Sequence, residues 1–430
     1  GFKNGLIDEF EVYDRSLTPA EVRLVGSSEN RAPSKDELRA FYLSRMDDRY
    51  QTARAELQSL REEENQLIDS VREISVMKEM PERRPTYLLK RGAYDAKGEK
   101  VEPDTPEKIF GFASNLPRNR LGLAEWMTDP HNPLPARVAV NRAWRMHFGR
   151  GLVLTEEDFG TQGKLPTHPA LLDWLAATFM ENHWDLKALH KTIVMSATYR
   201  QSSQATPELL VKDPDNQLLA RGPKHRLRAE EIRDNALAVS GLLSGKIGGP
   251  SVKPYQPDGL WEQSGTASHY TQDKGEGLYR RSLYTFWKRI VPPPNMLLFD
   301  APTREVCTAR RETTTTPLQA LVLLNDPQFL EAARVMAEHL VRESGNDPAA
   351  CVTRGFRLTT GREPKPRELA LLEQLYAEQL KHFQSDPTAA GQYLKIGERP
   401  PDKSLPPEQI AATAVLASAL MNLDEFVTER

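Results

Sequence analysis

The sequence predicts a mainly α fold: a multi-helical domain, a small β excursion near residues 85–102 and, at the N-terminus, a terminal strand of a truncated β-sandwich. Three observations lead there. After Asn115, apolar residues recur at helical spacing in one segment after another, separated by turn-rich stretches. Pairs such as Thr316-Pro317 and Asp326-Pro327 spell a helix start: a capping oxygen, then a proline where a missing N–H costs nothing. Period-two alternation is clearest in the first dozen residues, through Leu6, Ile7, Phe10 and Val12.

That first stretch predicts a half-buried strand. Thr18-Pro19-Ala20-Glu21 then supplies an N-cap, a proline at the first helical position and a capping-box glutamate. Residues 1–25 resemble the C-terminal end of a concanavalin A-like (laminin-G-like) domain, most of which would lie before Gly1. Gly1 opens inside strand-like sequence, so the chain reads as a piece of a longer protein. Residues 26–76 read as a helical or coiled-coil spacer. From Asp36 to Ile74 the chain is charged and almost free of Gly and Pro, with Leu57, Leu60, Leu67, Val71 and Ile74 as an apolar stripe. Residues 77–430 form the third expected domain. It starts with strand-like Tyr87-Leu88-Leu89 and the turn Asp95-Ala96-Lys97-Gly98. Helices are expected from Leu121 to Met127, Arg137 to Phe148, Pro169 to Glu181, Leu186 to Tyr199 and Ala229 to Leu243. Two more start at Pro317 and Pro327, and an apolar helix closes the chain from Pro406 to Val427.

Composition bounds the function. A chain of 430 residues normally forms two or more domains. Its 57 basic and 60 acidic residues leave a net charge of −3, which gives no global field to recruit nucleic acid. No apolar run approaches the ~20 residues of a membrane span. The two cysteines, Cys307 and Cys351, allow one disulfide or none. P-loop, GxGxxG, GxSxG and CxxCH motifs are absent, so no haem c attaches to this chain and no cofactor is assigned to it.

Three places could carry chemistry. His147, Asp158 and His168 combine histidine and carboxylate across a Gly-rich connection, the donor types of a divalent metal site or an acid–base pair. They match no compact metal motif, and the two histidines serve equally as helix-end residues. Tyr279 to Arg311 sets arginines beside aromatic rings, with Arg281, Trp287, Arg304, Arg310 and Arg311 as ligand candidates. Guanidinium forks pair anionic groups bidentately while rings stack on sugars. Internal Arg–carboxylate pairs through Asp300, Glu305 and Glu312 are the alternative. The Gly/Pro-rich loop 248–261 could expose Tyr255 and Trp261 over a cleft, or wrap the helices.

Several phrases together resemble one family: MPERRPTYLLKRGAYD, NRAWRMHFGRGLV, EDFGTQG, PTHPALLDWLA, SATYRQSS, RLRAEEIRD, RRSLYTFWKR, FDAPTREVCTARRETTTTPLQALVLLNDPQF and MNLDEFVTER. It is the PSD-type domain of unknown function of large planctomycete proteins that also carry cytochrome c-like modules. The resemblance spans about residues 77–430. It implies an extracytoplasmic location, upstream modules on the same polypeptide, and haem c only on those other modules. It carries no catalytic residue. The expected role is a helical scaffold and binding module, with anionic polysaccharide as its ligand. A metal-assisted hydrolase or cytochrome-linked redox enzyme, and a structural cell-envelope protein, are the alternatives.

Overall fold

The computed structural model of the chain describes residues 10–26, 32–265, 269–345 and 347–429. Helix makes up 51% of it and strand 5%, as expected of a mainly α fold. The chain divides into two compact units, residues 1–102 and 103–430.

The first unit holds helices α1 (Pro19–Gly26), α2 (Lys35–Arg45) and α3 (Asp48–Ser70) and the hairpin β1 (Thr86–Leu89) and β2 (Lys97–Val101). The capping box at α1 forms as read: Glu21 N–H donates to Thr18 Oγ1 (3.3 Å) and Thr18 N–H to Glu21 Oε2 (2.7 Å). Glu21 also pairs with Arg45 (2.9 Å) and Arg15 (2.7 Å), and these bonds hold its carboxyl well below the usual range. Leu6 and Ile7 of the expected strand lie outside the described residues; Phe10 and Val12 are exposed and not in a strand. Residues 35–70 form two helices: Asp47 accepts the Tyr50 N–H (2.9 Å) and starts α3 afresh. In the antiparallel hairpin Thr86 pairs with Val101 and Tyr87 with Lys100, with an irregularity before Leu89–Lys97.

The second unit runs through α4 (Arg120–Thr128), α5 (Pro135–Phe148), α6 (Pro169–Glu181), α7 (Leu186–Val194), α8 (Pro207–Lys212), β3 (His225–Arg226), α9 (Ala229–Val239), α10 (Leu260–Gln263) and α11 (Pro294–Leu298). It continues with α12 (Pro317–Asn325), α13 (Pro327–Ser344), α14 (Pro348–Thr360), α15 (Pro366–Ser385), α16 (Pro387–Tyr393), α17 (Pro407–Met421), α18 (Asp424–Val427) and β4 (Thr428–Glu429). One core joins Val140, Trp144 and Phe148 of α5 to Leu172, Leu175 and Phe179 of α6 and Leu189 and Ile193 of α7. The larger core centres on α13 and α17. Residues 410–421 of α17 are apolar or small almost all round, so the helix is stable only when surrounded.

α13 buries charges, and each is answered. Arg334 pairs with Glu338 (2.6 Å) and donates to the Arg399 carbonyl (2.5 Å). Glu331 accepts the hydroxyls of Tyr255 and Tyr279 (both 2.9 Å) and the Arg399 N–H (2.7 Å). On α9, Arg233 donates to the carbonyls of Leu278 (2.6 Å) and Arg280 (2.8 Å) and to Gln328 Oε1 (2.6 Å). Such groups are tolerable in a core only when paired.

The expected closing helix, Pro406 to Val427, breaks after Met421. The short α18 and β4 then return the chain to β3, with His225 opposite Glu429 and Arg226 opposite Thr428. Cys307 is exposed and Cys351 buried; both are free thiols, and burial pushes the Cys351 thiol up to about 11. Among the described residues no helix is long and apolar enough to cross a membrane.

A candidate arginine-walled cleft

The phrase NRAWRMHFGRGLV folds into a helix and its exit, and each special residue has a job there. Asn141 is fully buried, and its side chain clamps the Val153 backbone: Nδ2 donates to Val153 O (3.0 Å) and Oδ1 accepts Val153 N–H (2.8 Å). Gly151 lies over that amide, where a Cβ would meet Asn141 Nδ2 at 2.4 Å. Gly149 ends α5 in the left-handed region (φ 74°), and a Cβ there would sit 2.7 Å from His225 Cβ. The exit from α5 is thereby tied to β3. Arg142, Arg145 and Met146, spaced i, i+3 and i+4, share one helix face.

That face, residues 225–229 and the loop 299–313 enclose a cleft of about 590 Å³. Five arginines line it (142, 145, 226, 228 and 311), against three carboxylates: Glu156, Asp300 and Glu312. Three of the arginines build the wall. Arg145 pairs with buried Glu156 (2.8 Å) and donates to the Arg311 carbonyl (3.0 Å). Burial pushes the Glu156 carboxyl up, opposed by the charges of Arg145 and Arg310. Arg226 pairs with Asp300 and donates to the Thr314 and Phe299 carbonyls, the last at 3.3 Å. Asp300, in the left-handed region (φ 61°), accepts the Thr314 N–H (2.8 Å) and hydroxyl (2.9 Å). Arg311 pairs with Glu230 on α9 (2.7 Å). The side chains of Arg142 and Arg228 have no hydrogen-bonded or ion-paired partner among the described residues, and both line the cleft; the Arg228 backbone N–H donates to Glu231 Oε2 (2.7 Å).

A neighbouring cavity of about 630 Å³ shares Gly149 and His225. Its basic groups are already used: Arg150 pairs with Asp215 (3.3 Å), Lys224 with Asp424 (3.4 Å), and Arg221 donates to the Asp213 carbonyl (2.9 Å). His225 also belongs to a polar cluster. His147 and His190 share a hydrogen bond (2.8 Å), the Tyr199 hydroxyl donates to Glu429 (2.5 Å), and His225 Nε2 lies 3.4 Å from Glu429. Burial holds His147 and His225 below the usual histidine range.

His147 therefore sits with His190, Tyr199 and Glu429, not with Asp158 and His168. Asp158 accepts the Gly160 N–H (2.7 Å) in a loop turn, and His168 precedes α6 with Nδ1 3.1 Å from Thr167 Oγ1. Among the described residues, no three His, Cys, Asp or Glu side chains form a group that could hold a metal ion.

The Arg/aromatic segment is largely core and wall. Trp261 is 6% exposed, packed on Tyr270 (5.2 Å) and Phe286 (5.7 Å). Trp287 donates to the Thr303 carbonyl (3.0 Å) beneath the Arg304 guanidinium (4.3 Å). Arg281 is half exposed, 3.8 Å from Asp234, and Arg310 is exposed near Glu156. Of Trp261 and the five candidates Arg281, Trp287, Arg304, Arg310 and Arg311, only Arg311 lines the cleft. Loop 248–261 wraps α13 through the Tyr255–Glu331 bond. The residues missed are Arg142, Arg145, Arg226 and Arg228, which stand in the phrases NRAWR and RLRAEEIRD but carry no local mark of a site.

Residues 119–376 match the model of a family described as PSD1, a protein of unknown function (DUF1553). No curated protein and no solved structure matches the chain.

Proposed function

This chain belongs to the PSD1 family, whose function is unknown, and from that premise we propose that residues 103–430 are a binding module for an anionic ligand, a carboxylated or sulfated sugar chain. The carrying observation is that the Arg142 and Arg228 side chains, among the described residues, stand unpaired in a cleft whose other arginines are held by carboxylates and carbonyls. Guanidinium groups are planar forks matched to carboxylate and sulfate. The paired arginines fix the wall beforehand, so little ordering remains when the ligand enters. Thr308 and Thr313 at the same cleft add hydroxyls for sugar oxygens. A net charge of −3 argues against a general polyanion receptor such as a nucleic-acid binder. In this reading the unit works outside the cytoplasm beside other modules of its polypeptide, and any haem belongs to those modules; the resemblance of its phrases to secreted, multi-module proteins supports that setting.

The test is retention of the full chain on immobilised dextran sulfate. Replacing Arg142→Ala and Arg228→Ala together should abolish retention yet move the thermal midpoint by no more than about 2 °C, since neither side chain is paired. Unchanged retention, or no retention of the wild type, overturns the proposal.

A second reading, an acid–base enzyme in the same cleft, is favoured by His225. Its Nδ1 is buried without a hydrogen-bond partner among the described residues, and burial disfavours the charged form of the ring. Under it, sulfated oligosaccharide incubated with the wild type changes mass by loss of sulfate or chain cleavage, and His225→Gln stops this without loss of binding.

A further inference from the structure

We propose that the cavity neighbouring the arginine-walled cleft holds an uncharged ring of the same sugar chain; the inference rests on the reading that the cleft binds an anionic one. The two spaces share Gly149 and His225 in their walls, and the second encloses about 630 Å³, a size suited to a small ligand. A chain leaving the cleft across those two residues enters it.

Charge separates the two sites. In the cleft the Arg142 and Arg228 side chains have no partner among the described residues, whereas every cationic side chain in the second wall has one. Arg150 pairs with Asp215, Lys224 with Asp424, and His225 Nε2 lies beside Glu429. Arg221 donates to the carbonyls of Asp213 (2.9 Å) and Pro214 (2.7 Å). A sulfate or carboxylate entering there would have to compete with these partners. The groups left over are neutral. The Ser203 hydroxyl and the Gln204 side-chain amide have no hydrogen-bond partner among the described residues, and Leu210 and Leu219 line the same space. Hydroxyl and amide donors and acceptors beside apolar surface suit a pyranose, which has hydroxyls at its edge and C–H groups on its faces.

The wall is fixed before a ligand arrives. Gln201 Nε2 donates to the carbonyls of Thr198 and Leu219 (both 3.0 Å), and the Gly222 N–H donates to the Ser202 carbonyl (2.9 Å). Asn216 Nδ2 donates to the Arg221 carbonyl (2.9 Å), and the Arg221 N–H donates back to Asn216 Oδ1 (3.3 Å). Asn216 and Leu219 both stand in the left-handed region, at φ 53° and 55°. Leucine rarely adopts that conformation, and residues held in it by their surroundings cluster at ligand sites. A wall ordered in advance lowers the cost of binding.

Isothermal titration of the full chain with two sugars tests this: κ-carrageenan oligosaccharides, in which sulfated and uncharged rings alternate, and λ-carrageenan oligosaccharides, in which every ring is sulfated. Ser203→Ala with Gln204→Ala should weaken the first about tenfold and the second less than about twofold. Leu210→Trp fills the cavity from a half-exposed position and should do the same. Both variants should keep the thermal midpoint within about 2 °C. Arg142→Ala with Arg228→Ala should abolish binding of both sugars. Binding that needs the arginines but ignores Ser203, Gln204 and Leu210 overturns this inference and leaves the cleft reading standing. Equal weakening of the two sugars overturns the preference for an uncharged ring. A wild type that binds neither sugar, or binding that survives loss of the arginines, overturns the cleft reading and this inference with it.

Discussion

Replacing Arg145 with methionine keeps most of the side chain's volume and removes its charge beside Glu156. The two groups are 2.8 Å apart with 18% and 3% of their side chains exposed. At an effective dielectric of about 20, that separation corresponds to a gross attraction of about 6 kcal/mol. Desolvation offsets much of it, and removing one partner from such a pair costs about 3–5 kcal/mol because the other charge is stranded. The hydrogen bonds to the carbonyls of Arg311 and Ala309 add about 1 kcal/mol each. The stranded Glu156 has one escape, protonation, which burial already favours. In the variant the folded state then binds a proton that the unfolded state releases above its usual carboxyl value. Stability should therefore rise as pH falls from 7 toward 5, and the cost of the substitution should shrink. Adding Glu156→Gln removes the stranded charge, so the double variant should lose about 2 kcal/mol less than the sum of the singles. All six tryptophans lie between Trp126 and Trp287, so urea unfolding followed by tryptophan fluorescence reports residues 103–430 alone. An Arg145→Met loss below about 1 kcal/mol, or one equal at pH 5 and pH 7, would mean that Glu156 is not left as a stranded buried charge.

Two further expectations follow from the same region. Gly149→Ala places a Cβ in the left-handed region and against His225, and should cost about 2–4 kcal/mol in urea midpoint; a neutral result would mean the α5 exit is slack. His147 and His225 are held below the usual histidine value by burial, so between about pH 6.5 and their folded values the unfolded state binds the protons that the folded state refuses. Stability from these two groups is present above about pH 6.5 and is lost as pH falls. His147→Gln should flatten that acid limb in thermal melts, and an unchanged limb would exclude His147 as its source.

Helix starts were legible because capping is local chemistry. Thr18 and Glu21 form the expected box, Asp326 accepts the Gln328 N–H (2.9 Å) to start α13, and Pro169–Glu181 is helical to the residue. Helix ends were less so. The segment expected to run to Tyr199 stops at Val194, where the Ser196 hydroxyl donates to the Ile193 carbonyl, and Ala229 to Leu243 stops at Val239 before Gly241 (φ 77°). The candidate site was harder still. Arginines cluster visibly in sequence, but whether each is core, wall or free depends on distant partners. Arg233 is satisfied by carbonyls 45 and 47 positions away, whereas the Arg142 and Arg228 side chains have no such partner among the described residues. The His147, His190, Tyr199 and Glu429 cluster includes a hydrogen bond between residues 230 positions apart, Tyr199 and Glu429, beyond the reach of any spacing rule. Aromatic content at Trp261 and Trp287 suited a sugar platform equally with a core, and the fold uses both for packing.

An anionic sugar chain bound as proposed would lie in the arginine-walled cleft. Hydrogen exchange of the full chain with and without saturating sulfated oligosaccharide, read peptide by peptide, tests it most directly. Protection should concentrate in the segments that line the cleft, residues 142–149, 225–229 and 299–313, and should disappear in the Arg142→Ala, Arg228→Ala variant. Protection centred elsewhere, or retained in full by that variant, would place the ligand outside the cleft.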